Sequence, residues 1–317
     1  RVPRLADPGN LEELAAAEVA FSNSALTSFL QCPYLHFVEK WLRLKGLPER
    51  DLNPLDLGNA IHAALRDYFE SRGKADPLEL LDRRFEEISA GKRPSFRQRA
   101  GHIRLRRALE DFLPGEIERN LRLGRSPEIL ERPFGFGSSG LPALPLDVEG
   151  RKERLSGAID RVDTLASAGA AVVVDYKYSV GETVKRQRRE SIGEEMTHFQ
   201  LALYLMALRE VLGMEPAGAE LVALRKKVER YGVGRREILD RAGLSGALQE
   251  DWELMEEEEF GAFLARARRT MAGLVERIRA GEIVTRPADP AACGPGECDA
   301  ADICRYDRWL GGKEKGE

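Results

Sequence analysis

The stretch GAIDRVDTLASAGAAVVVDYKYS, residues 157–179, constrains this chain more than any other. Asp160 ends one apolar run, and after fourteen intervening residues Asp175 and Lys177 end a second, AVVVDYK. The second run reads as a buried strand that emerges at a polar edge, next to the strand that carries Asp160. Neighbouring strands of this kind bring two carboxylates and an ammonium to one point. Such a cluster attracts a divalent cation between the carboxylates, and the lysine can orient or activate a water for attack on a phosphodiester. A plain hairpin with DRVD and DYK as ordinary surface charges satisfies the same pattern.

The cysteines are an independent signal. The 317 residues contain four: Cys32 in QCPYLHF, then Cys293, Cys298 and Cys304 in CGPGECDAADIC. Three thiols within twelve residues, threaded through Gly294, Pro295 and Gly296, form a loop able to wrap one small inorganic centre. The distant Cys32 would complete a four-ligand site for zinc or for an iron–sulfur cluster. Two disulfides are the structural alternative. The chain shows no secretory segment and reads as cytoplasmic, where thiols stay reduced. Zinc ribbons usually carry two Cys-x-x-Cys knuckles, and this chain has none.

GAIDRVD followed by VVVDYKYS resembles the second and third motifs of the PD-(D/E)xK nucleases, in particular the RecB-like and AddB-type exonuclease domains. The family pattern of glycine, apolar residue and Asp falls on Gly157, Ile159 and Asp160, and its Asp-x-Lys on Asp175, Tyr176 and Lys177. Tyr178 and Ser179 stand where the family usually has Thr-Gly. SALTSFLQCPYLHFVEKWLRL resembles the family's entry helix, with Asn23 or Ser24 as its cap. DLGNAIHAALRDYF resembles the first-motif helix, whose histidine is a metal ligand in the family; that position is His62. Gln200 and Tyr204, four residues apart on one helix face, match a family Gln-x-x-x-Tyr pair placed near the DNA and the catalytic lysine. Glu131 in PEILERPFGF matches a family glutamate on the first core strand. Each has a bland reading beside it: a packed or solvated histidine, a core tyrosine, an isolated glutamate.

The resemblance implies an α/β, restriction-endonuclease-like core of helix, three strands, helix and strand, with large helical insertions. It implies that His62, Asp160, Asp175 and the Tyr176 carbonyl hold Mg²⁺ or Mn²⁺, that Lys177 acts on the water, and that Gln200 and Tyr204 steady the site. AddB-type domains use a lone cysteine plus a triplet for a four-iron, four-sulfur cluster that staples the ends of the domain, which implies the same for Cys32, Cys293, Cys298 and Cys304, although the family triplet usually opens with a gap shorter than the four residues here. The implied activity is metal-dependent, exonuclease-type DNA hydrolysis in recombination and repair, with a helicase subunit, or a helicase domain of the same chain, as partner. A catalytically silent DNA-binding or helicase-docking scaffold of the same fold is the competing reading.

With 43% apolar residues the chain can bury a sizeable core, and no apolar run approaches a membrane span. A net charge of −4 leaves DNA contact to local clusters. Lys185, Arg186, Arg188 and Arg189 follow the Asp-x-Lys strand directly, and RQRAGHIRLRR lies on a second helix; either is equally readable as a solvated face. The expected layout is a lead over 1–20, one nuclease domain over 21–310 and a tail over 311–317. Within the domain, residues 50–125 form a mostly helical insertion around the His62 helix, 126–227 the catalytic core, 228–290 a C-terminal helical part and 291–310 the cysteine loop. The acidic run Glu256–Glu259 is expected on the solvent side of a long helix over about 248–280.

Overall fold

The computed structural model describes residues 9, 20–44, 54–89, 94–137, 140–294, 298–304 and 306. The expected tail over 311–317, and all of the expected lead apart from residues 9 and 20, lie outside them. In chain order the elements are β1 (Phe21–Ser22), α1 (Asn23–Gln31), α2 (Pro33–His36), α3 (Pro54–Glu70), α4 (Pro77–Ile88), α5 (Phe96–Leu123), β2 (Arg125–Phe134), β3 (Leu144–Val148), β4 (Arg151–Leu165), β5 (Ala170–Lys177), α6 (Gly181–Ile192) and α7 (Gln200–Glu210). Then come β6 (Pro216–Ala223), β7 (Glu229–Arg235), α8 (Arg236–Arg241), α9 (Ser245–Leu248), β8 (Trp252–Met255), α10 (Glu257–Arg279) and α11 (Ala301–Cys304). The chain divides into two compact units, one of residues 1–48, 145–156 and 266–317, the other of residues 49–144 and 157–265.

The larger unit contains the expected order of helix, three strands, helix and strand, as α3, β2, β4, β5, α7 and β6. Strand β4 runs antiparallel to both β2 and β5, with Arg161 opposite Leu130 and Val174. Strand β5 is parallel to β6, in a register that sets Asp175 beside Leu221 and Lys177 beside Ala223. All of β6 and β5 up to Tyr176 are buried, the continuous apolar run expected of strands covered on both faces. Helix α7 is buried from Leu201 to Leu208. Helix α5 starts in a reciprocal cap, in which Ser95 Oγ accepts from the Gln98 amide and Gln98 Oε1 accepts from the Ser95 amide. It ends on Gly124 at φ +61°, the left-handed conformation that closes a helix cheaply only with glycine.

Residues 228–290, expected to be helical, carry two further strands. Strand β7 pairs with β6 antiparallel, and the four-residue β8 pairs with β7 parallel. The long helix therefore begins at Glu257 rather than near 248, and the glutamate run falls in its first turn, where carboxylates oppose the positive end of the helix dipole. Trp252 lies flat on β7 and β6 because Gly218, Gly232 and Gly234 leave it room; a Cβ on Gly218 would sit 2.4 Å from its ring.

In the smaller unit Ser22, not Asn23 or Ser24, caps α1, its hydroxyl accepting from the Ala25 amide at 3.2 Å. The entry helix is not continuous: Pro33 has no amide to donate, so α1 stops at Gln31 and the chain restarts as α2 and a π-turn over 37–41. Strand β1 pairs in parallel with the start of β4, Phe21 opposite Leu155. Arg279 holds Glu153 through two hydrogen bonds of 2.8 and 3.0 Å.

Candidate active site

Four elements of the larger unit converge where β5 ends beside the middle of β4. Helix α3 contributes His62, β2 contributes Glu131, and the two central strands contribute Asp160 and Asp175 with Lys177. The ligand atoms of His62, Glu131 and Asp160 all lie within 4.8 Å of one another, and among the described residues they form the only such group of three. His62 Nδ1 is 3.4 Å from Asp160 Oδ2 and 3.5 Å from Glu131 Oε1, while Nε2 is 2.8 Å from the Tyr176 carbonyl oxygen. The Tyr176 amide donates to Asp160 Oδ2 at 2.8 Å, which ties the end of β5 to the middle of β4. Glu131 reaches this point from a backbone at φ +43°, a conformation that a side-chain-bearing residue seldom adopts in a strand and that clusters at functional sites.

Asp175 is 2% exposed and each of its oxygens has its own partner. Lys177 Nζ is 2.7 Å from Oδ2, and Gln200 donates to Oδ1 at 2.6 Å. Gln200 also donates to the Tyr204 hydroxyl at 3.1 Å, so the pair predicted to share a helix face does, and Tyr204 is both buried and part of the site. Gly157 is needed here because a Cβ would lie 2.9 Å from the Phe134 ring and 3.2 Å from that of Tyr204.

Burial by itself would lower His62, but the Asp160 carboxylate, helped by Glu131 and Asp175, raises it to about 10. Burial raises Asp175 to about 6 against the pull of Lys177, with Asp160 adding to the rise. Burial disfavours a charged Lys177, yet Asp175 and Asp160 keep it above its ordinary value. Crowded carboxylates with one imidazole and a backbone carbonyl form a hard, oxygen-rich donor set that could hold a divalent metal ion.

Support for the site on the opposite face of the sheet could not be read from the sequence. Arg161, fully buried, grips Asp163 with two bonds of 2.5 and 2.6 Å, donates to the Tyr176 hydroxyl at 2.6 Å and to Asn120 at 3.1 Å, and pairs with Glu116 at 2.6 Å. Glu116 in turn pairs with Arg230, and Glu220 is held by Arg119, Arg125 and the Trp252 indole. In the plain-hairpin alternative DRVD would be ordinary surface charges; instead Arg161 and Asp163 are buried and paired with each other.

Of the basic cluster after β5, Arg188 pairs with Glu253, and Arg186 and Arg189 lie near Glu190 and Glu182 on α6 itself; Lys185 is exposed with no carboxylate partner among the described residues. In the smaller unit the four cysteines are free thiols, not disulfides. Burial and the charges of Cys298, Cys32 and Cys304 push the Cys293 thiol up, and Cys298 is raised by burial and by Cys304 and Cys32, so the four are electrostatic neighbours. Backbone bonds from Tyr34 to Val284 and from Ala288 to Gln31 fix the Cys32 turn beside the chain that leads into the triplet.

Residues 20–305 match the model of the PD-(D/E)XK nuclease superfamily. A relative from Symbiobacterium thermophilum, named as a subunit of an ATP-dependent helicase/deoxyribonuclease, is 33% identical over 214 residues, covering 62% of this chain and 18% of that protein. A protein of the same name from Desulforudis audaxviator is 33% identical over 205 residues, 56% of this chain and 17% of its own length. One from Natranaerobius thermophilus is 24% identical over 373 residues, 94% of this chain and 30% of its own length. The chain thus spans less than a third of each of these relatives.

Proposed function

Because the chain belongs to the PD-(D/E)XK nuclease superfamily, we propose that it hydrolyses DNA phosphodiesters with bound Mg²⁺ or Mn²⁺, working inward from strand ends as the nuclease part of a helicase–nuclease in recombination and repair. The observation that carries this reading is the joint placement of His62, Glu131, Asp160, Asp175 and Lys177 at one strand edge. An inactive scaffold has no need to keep that set together.

His62, Glu131 and Asp160, whose ligand atoms lie within 4.8 Å of one another, would hold the cation, together with the Tyr176 carbonyl and Asp175. The chemistry supplied there by a bound divalent ion would be polarisation of the phosphate and a lowered pKa for a bound water. Lys177, kept charged by Asp175, positions the water and offsets negative charge that grows on the phosphoryl oxygens. Gln200 fixes Oδ1 of Asp175 and so leaves Oδ2 aimed at the lysine. The names of the relatives support a helicase partner, either separate or as another part of a longer chain. Among the described residues no helix is long and apolar enough to cross a membrane.

The four free cysteines would hold a four-iron, four-sulfur cluster. What supports a cluster over a zinc ribbon is the lone-plus-triplet layout of the four cysteines, with no pair of Cys-x-x-Cys knuckles. The Tyr306 amide donates to Cys304 Sγ at 3.4 Å, a contact that suits a thiolate ligand.

Digestion of end-labelled single- and double-stranded DNA with and without Mg²⁺ tests the nuclease reading. Mg²⁺-dependent release of end nucleotides is expected. No Mg²⁺-dependent cleavage of either substrate would leave the silent scaffold as the better reading.

A further inference from the structure

Beside the strand that carries Asp175 and Lys177 lies a pocket of about 410 Å³, lined by Leu57, Phe96, Arg97, Arg104, Tyr178 and Arg225 with the α5 backbone at Ala100 and Gly101. One wall grows directly from the candidate site. Tyr178 follows Lys177, the Leu224 amide donates to the Lys177 carbonyl at 2.9 Å, and the Arg225 amide donates to the Ser179 carbonyl at 3.1 Å. The pocket therefore begins one residue beyond the lysine assigned to catalysis.

The other wall is one face of α5. Positions 97, 101 and 104 are spaced by four and three residues and so share that face. Gly101 lets the Leu57 side chain close in; a Cβ there would stand 3.3 Å from it. Phe96 is 78% exposed at the first turn of the helix, an apolar area left open to solvent among the described residues. Its backbone is fixed, because it follows the reciprocally capped Ser95.

The arginines of this helix fall into two sets. His102 and Arg106 both reach Asp82, one wholly structural use of the basic run. Arg97 and Arg104 have no carboxylate partner among the described residues, and neither has Arg225 across the pocket. Three guanidiniums with no carboxylate partner among the described residues, set around an exposed aromatic ring, suit a polyanion with free π-faces. A duplex presents phosphates but keeps its bases stacked inside, so the exposed ring selects for unpaired bases.

Resting on the nuclease reading above, we propose that this cleft holds a single-stranded stretch of the DNA substrate next to the cleavage site, with Phe96 stacked on a base and Arg97, Arg104 and Arg225 on the phosphates.

Fluorescence anisotropy in EDTA tests it, using a labelled single-stranded oligonucleotide and the blunt duplex of the same sequence. Phe96→Ala should weaken single-strand binding by about fivefold or more and leave duplex binding almost unchanged, while Phe96→Trp retains it. Arg97→Gln and Arg104→Gln should each lower the slope of log affinity against log salt by about 0.7. Arg225→Gln, at an exposed position on a separate element, should do the same. Unchanged single-strand affinity in Phe96→Ala, an equal loss on duplex, or no single-strand binding by the unaltered protein would overturn the proposal. Binding in EDTA does not require cleavage, so the two readings fail separately. Absent digestion with Phe96-dependent binding defeats the nuclease reading alone; normal digestion with Phe96-independent binding defeats the cleft alone.

Discussion

Arg161 donates to the Tyr176 hydroxyl at 2.6 Å on the face of β5 that points away from Asp175 and Lys177. The same tyrosine offers its carbonyl to His62 and its amide to Asp160. A buried ion network on one side of the sheet thus holds the backbone of a residue assigned to the metal on the other.

That relationship should appear in metal affinity. Tyr176→Phe removes one bond to a buried guanidinium and should cost about 1–3 kcal/mol of stability. It should also raise the Mg²⁺ concentration needed for half-maximal cleavage. Arg161→Met leaves Asp163 buried without its cation and Glu116 with Arg230 alone, and should cost about 3–5 kcal/mol. Urea unfolding and a Mg²⁺ titration of cleavage separate the two effects; an unchanged titration in Tyr176→Phe would confine the network to stability.

Asp175→Ala and Lys177→Ala should each lower cleavage by at least about a hundredfold, because both act at a strand edge on the reacting groups. DNA binding in EDTA and the melting temperature should change little in Lys177→Ala. Substantial Mg²⁺-dependent cleavage by either purified variant would sink the assignment.

Acid should weaken the fold through Glu220. Its environment would raise the carboxyl by burial, but Arg125, Arg119 and Arg230 hold it well below its ordinary 4.5. A depressed carboxylate stabilises the folded state fully above its unfolded value and loses that contribution as pH falls below about 4.5. Glu220→Gln should be less stable than the unaltered protein by about 3–5 kcal/mol at pH 7. The gap should narrow between pH 4.5 and pH 3 in denaturant titrations at successive pH values.

Cys304→Ser or Cys32→Ala should abolish broad visible absorbance in protein purified anaerobically and lower the melting temperature. A cross-link between ligands more than 250 residues apart removes chain entropy worth several kcal/mol from the unfolded state, by about the measure of a long disulfide loop. Metal analysis that finds stoichiometric zinc and no iron would refute the cluster and leave the nuclease assignment untouched.

The motif residues and the strands that carry them were legible in the sequence for a local reason. The apolar run that Asp160 ends in β4, the continuous apolar run of β5 and the four-residue spacing of Gln200 and Tyr204 are properties of short segments, and they set which side chains emerge together at the site or on one helix face. The cap at Ser22 and the break at Pro33 were missed by one residue or merged into one helix, because neighbouring Ser and Asn residues compete equally for a cap until packing chooses. Strand β8 was lost inside a helical reading, since four residues carry too little periodicity to stand against a long amphipathic segment. Only the tertiary structure decided which charges are buried. Arg161, Glu116 and Glu220 have the composition of surface residues, and their place in the interior depends on partners 41 to 114 residues away. The same holds for the basic run on α5: its sequence could not say that Arg106 would meet Asp82 while Arg97 and Arg104 were left facing a pocket, because charge is written residue by residue and partnership is settled by the fold.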